Sequence, residues 1–282
     1  MNKTLFILSF ILLLSCSRHN DAECLLSQAQ AVMEASPDTA AMYLDSILMP
    51  EKFLKKEKYM EYLVTKVQAK YKNYDNIKED TNIFITKTYF DKTRKNSQMN
   101  MYSHLYSACV YDERGEYENA MKDYKTAFTL AENMHDSLYM WRINNYMAEV
   151  FSKQTYWDEA LDIYIESVKL ANGNVEKARS YANLAKMYYL RDDNDQAIYY
   201  IERSIDIAEK IADEIRNTVK KETGLTLSVG VSFNKVFAKL GSDMKKPDAV
   251  TVIPQDSFRE VIWDLPASDM LGVGRSTEKV LS

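Results

Sequence analysis

The stretch Tyr106–Ala131, "YSACVYDERGEYENAMKDYKTAFTLA", sets a pattern that recurs twice further along the chain. Its small and aromatic residues follow one another at spacings of 3, 9, 4 and 3 positions: Ala108, Tyr111, Ala120, Tyr124 and Ala127. The same spacings return in residues 146–171 and 183–208, which lie 40 and then 37 residues further on. A repeat of this period indicates stacked helix–turn–helix units, in which small residues allow two helices to cross closely.

This arrangement resembles the tetratricopeptide repeat, a helix–turn–helix unit of about 34 residues. Loop residues such as "ENMHDS" and "NGNVEK" lengthen the units here. A single unit cannot bury its apolar face alone, so the resemblance implies units stacked into a superhelix with a concave groove. The sequence therefore predicts a mainly α fold, with a tetratricopeptide-like helical-repeat superhelix over residues 24–210 and a small α/β segment appended at residues 211–282.

The resemblance places ligand contacts on the inner face of the first helix of each unit. In the first copy these positions are Tyr102, Leu105, Cys109 and Asp112. In the later copies Ser152 and Ala182 share the face with the candidate partner-binding residues Arg142, Asn145, Glu149, Arg179, Lys186 and Tyr189. This mixture favours a peptide or protein ligand with acidic groups, because arginine binds a carboxylate through two parallel hydrogen bonds. The alternative is a solvated helix face that binds no ligand.

The composition excludes several classes of site. A net charge of −5 over 282 residues gives no basic excess that would indicate a nucleic-acid-binding protein. The 7 glycines and 5 prolines are few for this length, and the 20 tyrosines and 14 methionines are many, which favours a helical body. The three cysteines and three histidines lack metal-ligand spacing, so we expect no metal and no cofactor: Cys16, Cys24, Cys109, His19, His104 and His135.

The first 16 residues, "MNKTLFILSFILLLSC", are typical of an export signal. The apolar run Leu5–Leu14 is shorter than the roughly 20 residues that a membrane-spanning helix needs. The ending "LLSC" resembles a bacterial lipobox, which implies that Cys16 is acylated and that the chain is anchored to a membrane of the cell envelope. An ordinary signal peptide with a chance cysteine is the alternative. A lipobox followed by such repeats resembles the tetratricopeptide lipoproteins of Bacteroidetes-type bacteria.

From about Ile211 the repeat spacing disappears and the pattern becomes that of an α/β segment. The predicted elements are a helix at 211–222, a strand at Leu225–Ser232, a helix at Asn234–Asp243, a strand at Val250–Ile253 and a short helix at Asp256–Asp264. A "GVG" turn follows, and backbone N–H groups at such a turn can bind a phosphate. By itself this glycine signal has little specificity.

Two linked runs, "TGLTLSVGVSFNKVFAKLGSDMKKPD" (223–248) and "DLPASDMLGVGRSTEKVL" (264–281), resemble the Y-family DNA polymerases of the DNA polymerase IV type. In that family, runs of this kind form the end of the palm and the start of the thumb. The resemblance implies that Lys246 contacts the triphosphate of an incoming nucleotide, and that Gly272, Val273 and Gly274 contact the DNA backbone. Ala249 departs from the family, which usually has glycine there.

The carboxylates that the polymerase reaction requires are missing. The family holds two metal ions with one Asp near the polymerase N-terminus and an Asp-Glu pair, and without them nothing neutralises the developing charge. The nearest candidate, "SID" at 204–206, is followed by Ile207 instead of Glu. We therefore predict no catalytic residue, no use of Mg²⁺, and weak or no DNA binding.

The join between the two parts carries no linker. "AIYYIERSIDIAEKI" (197–211) continues the repeat helix with no Gly or Pro between it and the polymerase-like run, which favours a fusion of two genes or reading frames, or a misassembled sequence. The sequence therefore predicts a protein–protein interaction scaffold attached to an incomplete polymerase segment. The alternative is a cytoplasmic DNA polymerase IV-like protein that acts in translesion synthesis and DNA repair by binding damaged DNA.

Overall fold

The computed structural model describes residues 21–94, 96–255, 257–266 and 269. The chain divides into two compact units, the first ending at Val150 and the second beginning at Phe151. Within the described residues, no helix combines the length and the apolar character needed to cross a membrane.

The first unit is built from helices alone in the part of the chain that the structure describes. After α1 (21–32) come α2 (Pro37–Asp45), α3 (Pro50–Phe53), α4 (Lys56–Lys72), α5 (Asn82–Thr93), α6 (Ser97–Glu113), α7 (Tyr117–Asn133) and α8 (Ser137–Lys153), which runs past Val150 into the second unit. Proline occupies the start of α2 and of α3, where the missing N–H costs no helical hydrogen bond. Asn96 begins α6, because its side chain accepts a hydrogen bond from the backbone N–H of Met99.

The repeat spacing marks the contact between α6 and α7. Ala108, Ala120, Tyr124 and Ala127 have no solvent-exposed surface. The turn between the two helices is made by Gly115, whose φ of 76° lies in the left-handed region that glycine adopts without strain. The small residues thus lie where the helices approach, and the Tyr124 ring fills the space beside them. The predicted helical-repeat fold is confirmed.

The second unit begins with the remaining repeat helices. These are α9 (Trp157–Leu170), α10 (Asn174–Leu190) and α11 (Asn194–Thr223). Their repeat residues Ala160, Tyr164, Ser167, Ala185 and Ala197 are buried. Ile201 and Ser204, the last two positions of the third copy, are only half-buried, so this copy packs less tightly than the first.

The helix predicted at 211–222 is not a separate element. It is the last part of α11, a continuous helix of 30 residues that runs through the join at residues 210–211. No glycine or proline occurs between Asn194 and Thr223 to interrupt the helix. Gly224, with a φ of 73°, then ends it in the left-handed conformation. The residue pattern changes at the join, but the helical conformation of the backbone continues through it.

The α/β segment consists of β1 (Val229–Ser232), α12 (Lys235–Met244), β2 (Val250–Ile253) and α13 (Phe258–Ile262). The two strands are parallel, with Val229 opposite Val250. The first strand is shorter than the predicted range that began at Leu225, because Leu225 is exposed and lies outside the ladder. The short helix is also shorter than predicted, and residue 256 lies outside the described residues.

Close contact between β1 and α12 depends on one glycine. A Cβ atom on Gly230 would lie 1.7 Å from the carbonyl oxygen of Ala238, which is far inside van der Waals contact. Asn234 begins α12, since its side chain accepts a hydrogen bond from the N–H of Phe237. The helix and strands enclose a small core of Leu240, Ile253 and Ile262. These contacts confirm a small α/β segment after the repeats.

Candidate functional site

The first set of predicted groove positions, on α6, does not form an open surface. Tyr102, Leu105 and Cys109 are all buried. The reason is that tyrosines of neighbouring helices pack together there, with the Tyr71 ring centroid 5.9 Å from that of Tyr106. Burial also raises the pKa of the Cys109 thiol to about 12, so the thiol is protonated and packs as an apolar group. The expectation that these three side chains contact a ligand is therefore corrected.

Arg142, a predicted groove residue on α8, lies in a group of polar side chains that we call the Glu34 cluster: Glu34, Lys72, Tyr139 and Arg142. Glu34 lies in the turn between α1 and α2. Its Oε2 atom is 2.8 Å from Nη2 of Arg142 and 3.0 Å from Nζ of Lys72. The Tyr139 hydroxyl donates a hydrogen bond of 2.9 Å to Oε1. Side chains of α4 and α8 therefore bind both oxygens of the Glu34 carboxylate.

The charges of this cluster determine its protonation. Burial alone would raise the pKa of Glu34, but hydrogen bonds and charge interactions with Arg142 and Lys72 lower it to about 2. Burial lowers the pKa of Lys72, and the nearby Arg142 lowers it further, against the opposing effect of Glu34. The Arg142 guanidinium also lies 5.0 Å from the centre of the Tyr139 ring. At neutral pH the cluster holds one ionised carboxylate and a guanidinium.

The other two predicted groove residues of α8 differ in their contacts. The Asn145 side-chain amide donates a hydrogen bond of 2.7 Å to the backbone carbonyl of Trp141, one turn earlier in the same helix. Glu149 is exposed. Neither residue is part of the Glu34 cluster.

In the second unit, α10 presents Arg179, Lys186 and Tyr189 to solvent. Their spacings of 7 and 3 residues place them on one side of the helix. Tyr189 is 66% exposed, so its ring is accessible to a partner. Neither cation pairs with a carboxylate of any residue that the structure describes. These three side chains form an accessible surface that we call the α10 face.

Lys246, the residue that resembles a nucleotide-contacting lysine, lies on the surface of the α/β segment. Its Nζ atom is 2.7 Å from Oδ1 of Asp243, and its side chain is 61% exposed. The following loop is tied to α11, because Asp248 lies 2.6 Å from Lys220 and 2.8 Å from Arg216. Hydrogen bonds from Lys220 and then Arg216 hold the pKa of Asp248 below its usual value. Gly272, Val273, Gly274 and Cys16 lie outside the described residues.

A buried group of charged side chains between α5, α6 and α7 was missed by sequence reasoning. Asp123 accepts hydrogen bonds of 2.6 Å from both Lys87 and Ser107, and its other oxygen is 3.3 Å from Nδ1 of His104. The second ring nitrogen of His104 is 2.9 Å from Asp91. The only sequence signal is a charged residue on an apolar helix face, which does not identify its partners. Among the described residues, no three His, Cys, Asp or Glu side chains are arranged to hold a metal ion.

Comparison with known proteins agrees with the helical-repeat fold. The model of the tetratricopeptide repeat family matches residues 139–210. The TPR-like repeats of a kinesin light chain from Podosopora anserina have a TM-score of 0.51 at 15% identity, over 67% of this chain and 95% of that one. The Rap conjugation gene regulator of plasmid pLS20, solved in complex with the Phr* peptide, has a TM-score of 0.51 at 13% identity, over 72% of this chain and 58% of that one. At these identities the likeness shows the fold alone.

A second set of relatives is similar to the chain over about a quarter of its length. DNA polymerase IV of Acetivibrio thermocellus is 66% identical over 73 residues, which are 26% of this chain and 18% of that protein. DNA polymerase IV of Clostridium perfringens is 48% identical over 75 residues, or 27% of this chain and 21% of that protein. The chain thus spans about a fifth of the length of these curated relatives. It combines tetratricopeptide-like helical repeats with a stretch similar to a fragment of DNA polymerase IV.

Proposed function

We propose that the protein is an interaction scaffold whose repeats bind an acidic peptide or protein segment. The observation that carries this proposal is the α10 face, where Arg179, Lys186 and Tyr189 are exposed together. The Rap regulator, which has a similar fold, was solved with a peptide, and repeats of this kind commonly act through extended binding surfaces. The two cations suit carboxylates, and the exposed ring suits an apolar side chain of the ligand.

Affinity at this surface requires several contacts acting together. An ion pair between exposed groups contributes only about 0–1 kcal/mol, because water and salt screen it. A tyrosine contributes more when a partner covers its ring and excludes water. We therefore expect binding to depend on the two cations and Tyr189 jointly, with none of them essential alone.

Replacing Arg179 and Lys186 together by alanine is expected to weaken binding of a fluorescently labelled octaglutamate peptide about tenfold, which corresponds to about 1.4 kcal/mol. The change removes two exposed charges, so the helical circular-dichroism signal should remain the same. The control variant is Lys177→Ala with Lys210→Ala, which removes two charges from other exposed positions of α10 and α11. Fluorescence anisotropy measures both. Equal affinities for the two double variants would contradict the assignment of the α10 face.

We also propose that Cys16 carries a lipid that holds the repeats at a membrane of the cell envelope. The support is the sequence "LLSC" after a short apolar run, as in an exported lipoprotein. Mass spectrometry of the parent protein and of a Cys16→Ser variant is the corresponding test. We expect the variant to lack the mass of the lipid. A difference no larger than that of the substitution itself would indicate an ordinary signal peptide.

The second candidate function is a Y-family DNA polymerase, favoured by the 66% identity to DNA polymerase IV over 73 residues. Against it stand the short coverage of that relative and the absence of the metal-binding Asp and Asp-Glu pair from the sequence. We expect no nucleotide incorporation in a primer-extension assay with either Mg²⁺ or Mn²⁺, since the sequence lacks the Asp and the Asp-Glu pair with which the family holds its metal ions. Templated addition that is lost in a Lys246→Ala variant would establish the polymerase instead. Salt-dependent DNA binding would point in the same direction.

We propose that the polymerase-like segment entered the chain by fusion of two reading frames. The support is that the match to the repeat family ends at residue 210, inside the uninterrupted helix α11, and that no linker precedes the polymerase-like pattern. Sequencing a transcript across codons 200–220 tests this origin. A transcript that ends before the polymerase-like codons begin would refute the fusion.

A further inference from the structure

The Glu34 cluster has its carboxylate on the outside and its two cations beneath it. The Glu34 side chain is 48% exposed, whereas those of Lys72 and Arg142 are 19% and 24% exposed. We propose that Lys72, Arg142 and the Tyr139 hydroxyl form a binding site for the carboxylate of a peptide ligand, and that Glu34 occupies this site in the free protein. A ligand binds there by replacing Glu34.

The site requires a carboxylate for electrostatic reasons. Lys72 and Arg142 both lie within 3.0 Å of the same oxygen, so each cation is close to the other. Two partly buried cations without an anion repel each other and lose part of their hydration. The three donors contact both oxygens of the bound group: Arg142 and Lys72 contact Oε2, and Tyr139 donates to Oε1. Charge-assisted hydrogen bonds of this kind favour a planar carboxylate.

Glu34 is suited to being replaced. It lies in a turn, outside α1 and α2, and reaches the cluster from a distant part of the chain, 105 residues from Tyr139. Exchange of one carboxylate for another can keep every hydrogen bond of the site, so the displacement does not leave the two cations without an anion. The Tyr139 ring packs against the buried Tyr102 ring, whose centroid lies 5.1 Å away, so the donor hydroxyl of Tyr139 is held in place.

This inference rests on the proposed function in one respect, that the ligand is a peptide. The Glu34 cluster belongs to the first unit and the α10 face to the second. Variants of the two surfaces therefore test two separate assignments. If the assignment of the α10 face fails, that of the Glu34 cluster can still be tested, and the reverse also holds.

The test compares Glu34→Ala with Glu132→Ala in the full chain. Both changes remove one negative charge from the first unit, and Glu132 is exposed on α7. The probes are an octaglutamate peptide amidated at its C-terminus, which offers side-chain carboxylates, and an uncharged octapeptide with a free C-terminus. We expect Glu34→Ala to bind at least one probe about fivefold more tightly than Glu132→Ala does. The gain should disappear when Arg142→Ala is added.

The probe that gains affinity identifies the source of the ligand carboxylate. Equal binding of both probes by the two single variants would overturn the proposal, as would a gain that survives Arg142→Ala. If Glu34→Ala melts below the assay temperature, Glu34→Asp replaces it, since its carboxylate is one methylene shorter and holds the site less well. A tighter complex for Glu34→Asp than for the parent protein then supports the proposal, and an unchanged affinity refutes it.

Discussion

Replacing Tyr124 by alanine is expected to lower the free energy of unfolding of the first unit by about 3–5 kcal/mol, the range found for large buried aromatic side chains. The Tyr124 ring is fully buried where α6 meets α7. Its hydroxyl donates a hydrogen bond of 3.5 Å to the sulfur of Cys109, and burial raises the pKa of the phenol well above its usual value. The substitution removes this hydrogen bond. It also leaves a cavity, since other residues keep α6 and α7 in place.

Urea denaturation measures this loss if the signal comes from the first unit alone. Of the three tryptophans only Trp141 precedes Val150, so a background with Trp157→Phe and Trp263→Phe reports that unit by fluorescence. Tyr74→Ala is the matched control, since the Tyr74 side chain is 98% exposed. We expect the control to change the unfolding free energy by less than about 0.5 kcal/mol. Similar losses for both variants would mean that the repeat spacing does not mark the core.

Replacing Asp123 by alanine is expected to cost about 3–5 kcal/mol, the range for breaking one side of a buried ion pair. Asp123 is the shared acceptor for Lys87, Ser107 and His104. Its removal leaves the Lys87 ammonium without its carboxylate next to an apolar core. Asp75→Ala, at an exposed position of the same unit, is the control and should be nearly neutral. The same tryptophan fluorescence follows the unfolding of both.

The pH dependence of stability checks the same group of charges. For Asp123, burial would raise the pKa, but hydrogen bonds from His104, Lys87 and Ser107 hold it below 3.8. Its stabilisation is present above pH 3.8 and is lost as the pH falls through the lowered pKa. For His104, burial would lower the pKa, but hydrogen bonds to Asp123 and Asp91 raise it above 6.5. That stabilisation is complete below pH 6.5 and is lost as the pH rises through the raised pKa.

These two contributions together predict that the first unit is most stable between pH 3.8 and 6.5. In Asp123→Ala the decline on the alkaline side should become smaller, because His104 loses one of the two carboxylates that raise its pKa. A purely steric role for Asp123 would lower stability equally at every pH. The shape of the pH profile therefore separates the charge interaction from simple packing.

The sequence by itself determined the repeat fold, because helix crossing demands small residues at fixed positions. Ala108, Ala120 and Ala127 lie at those positions, and Gly115 adopts the left-handed conformation of the turn without strain. These requirements are local, within one helix pair, so spacing alone reveals them. The prediction that the polymerase-like segment lacks its metal-binding carboxylates also comes from the sequence alone, and it stays a prediction.

Only the tertiary structure decided which predicted groove residues have partners within the chain. Arg142 and Arg179 have the same repeat position, yet Arg142 is paired with Glu34 and Arg179 is exposed. The burial of Leu105 and Cys109 and the grouping of Asp123 with His104 likewise depend on helices that approach from elsewhere in the chain. Helix periodicity fixes the direction in which a side chain points, but the partner it meets depends on how separate helices pack. That information is distributed over distant residues and does not appear in any one repeat.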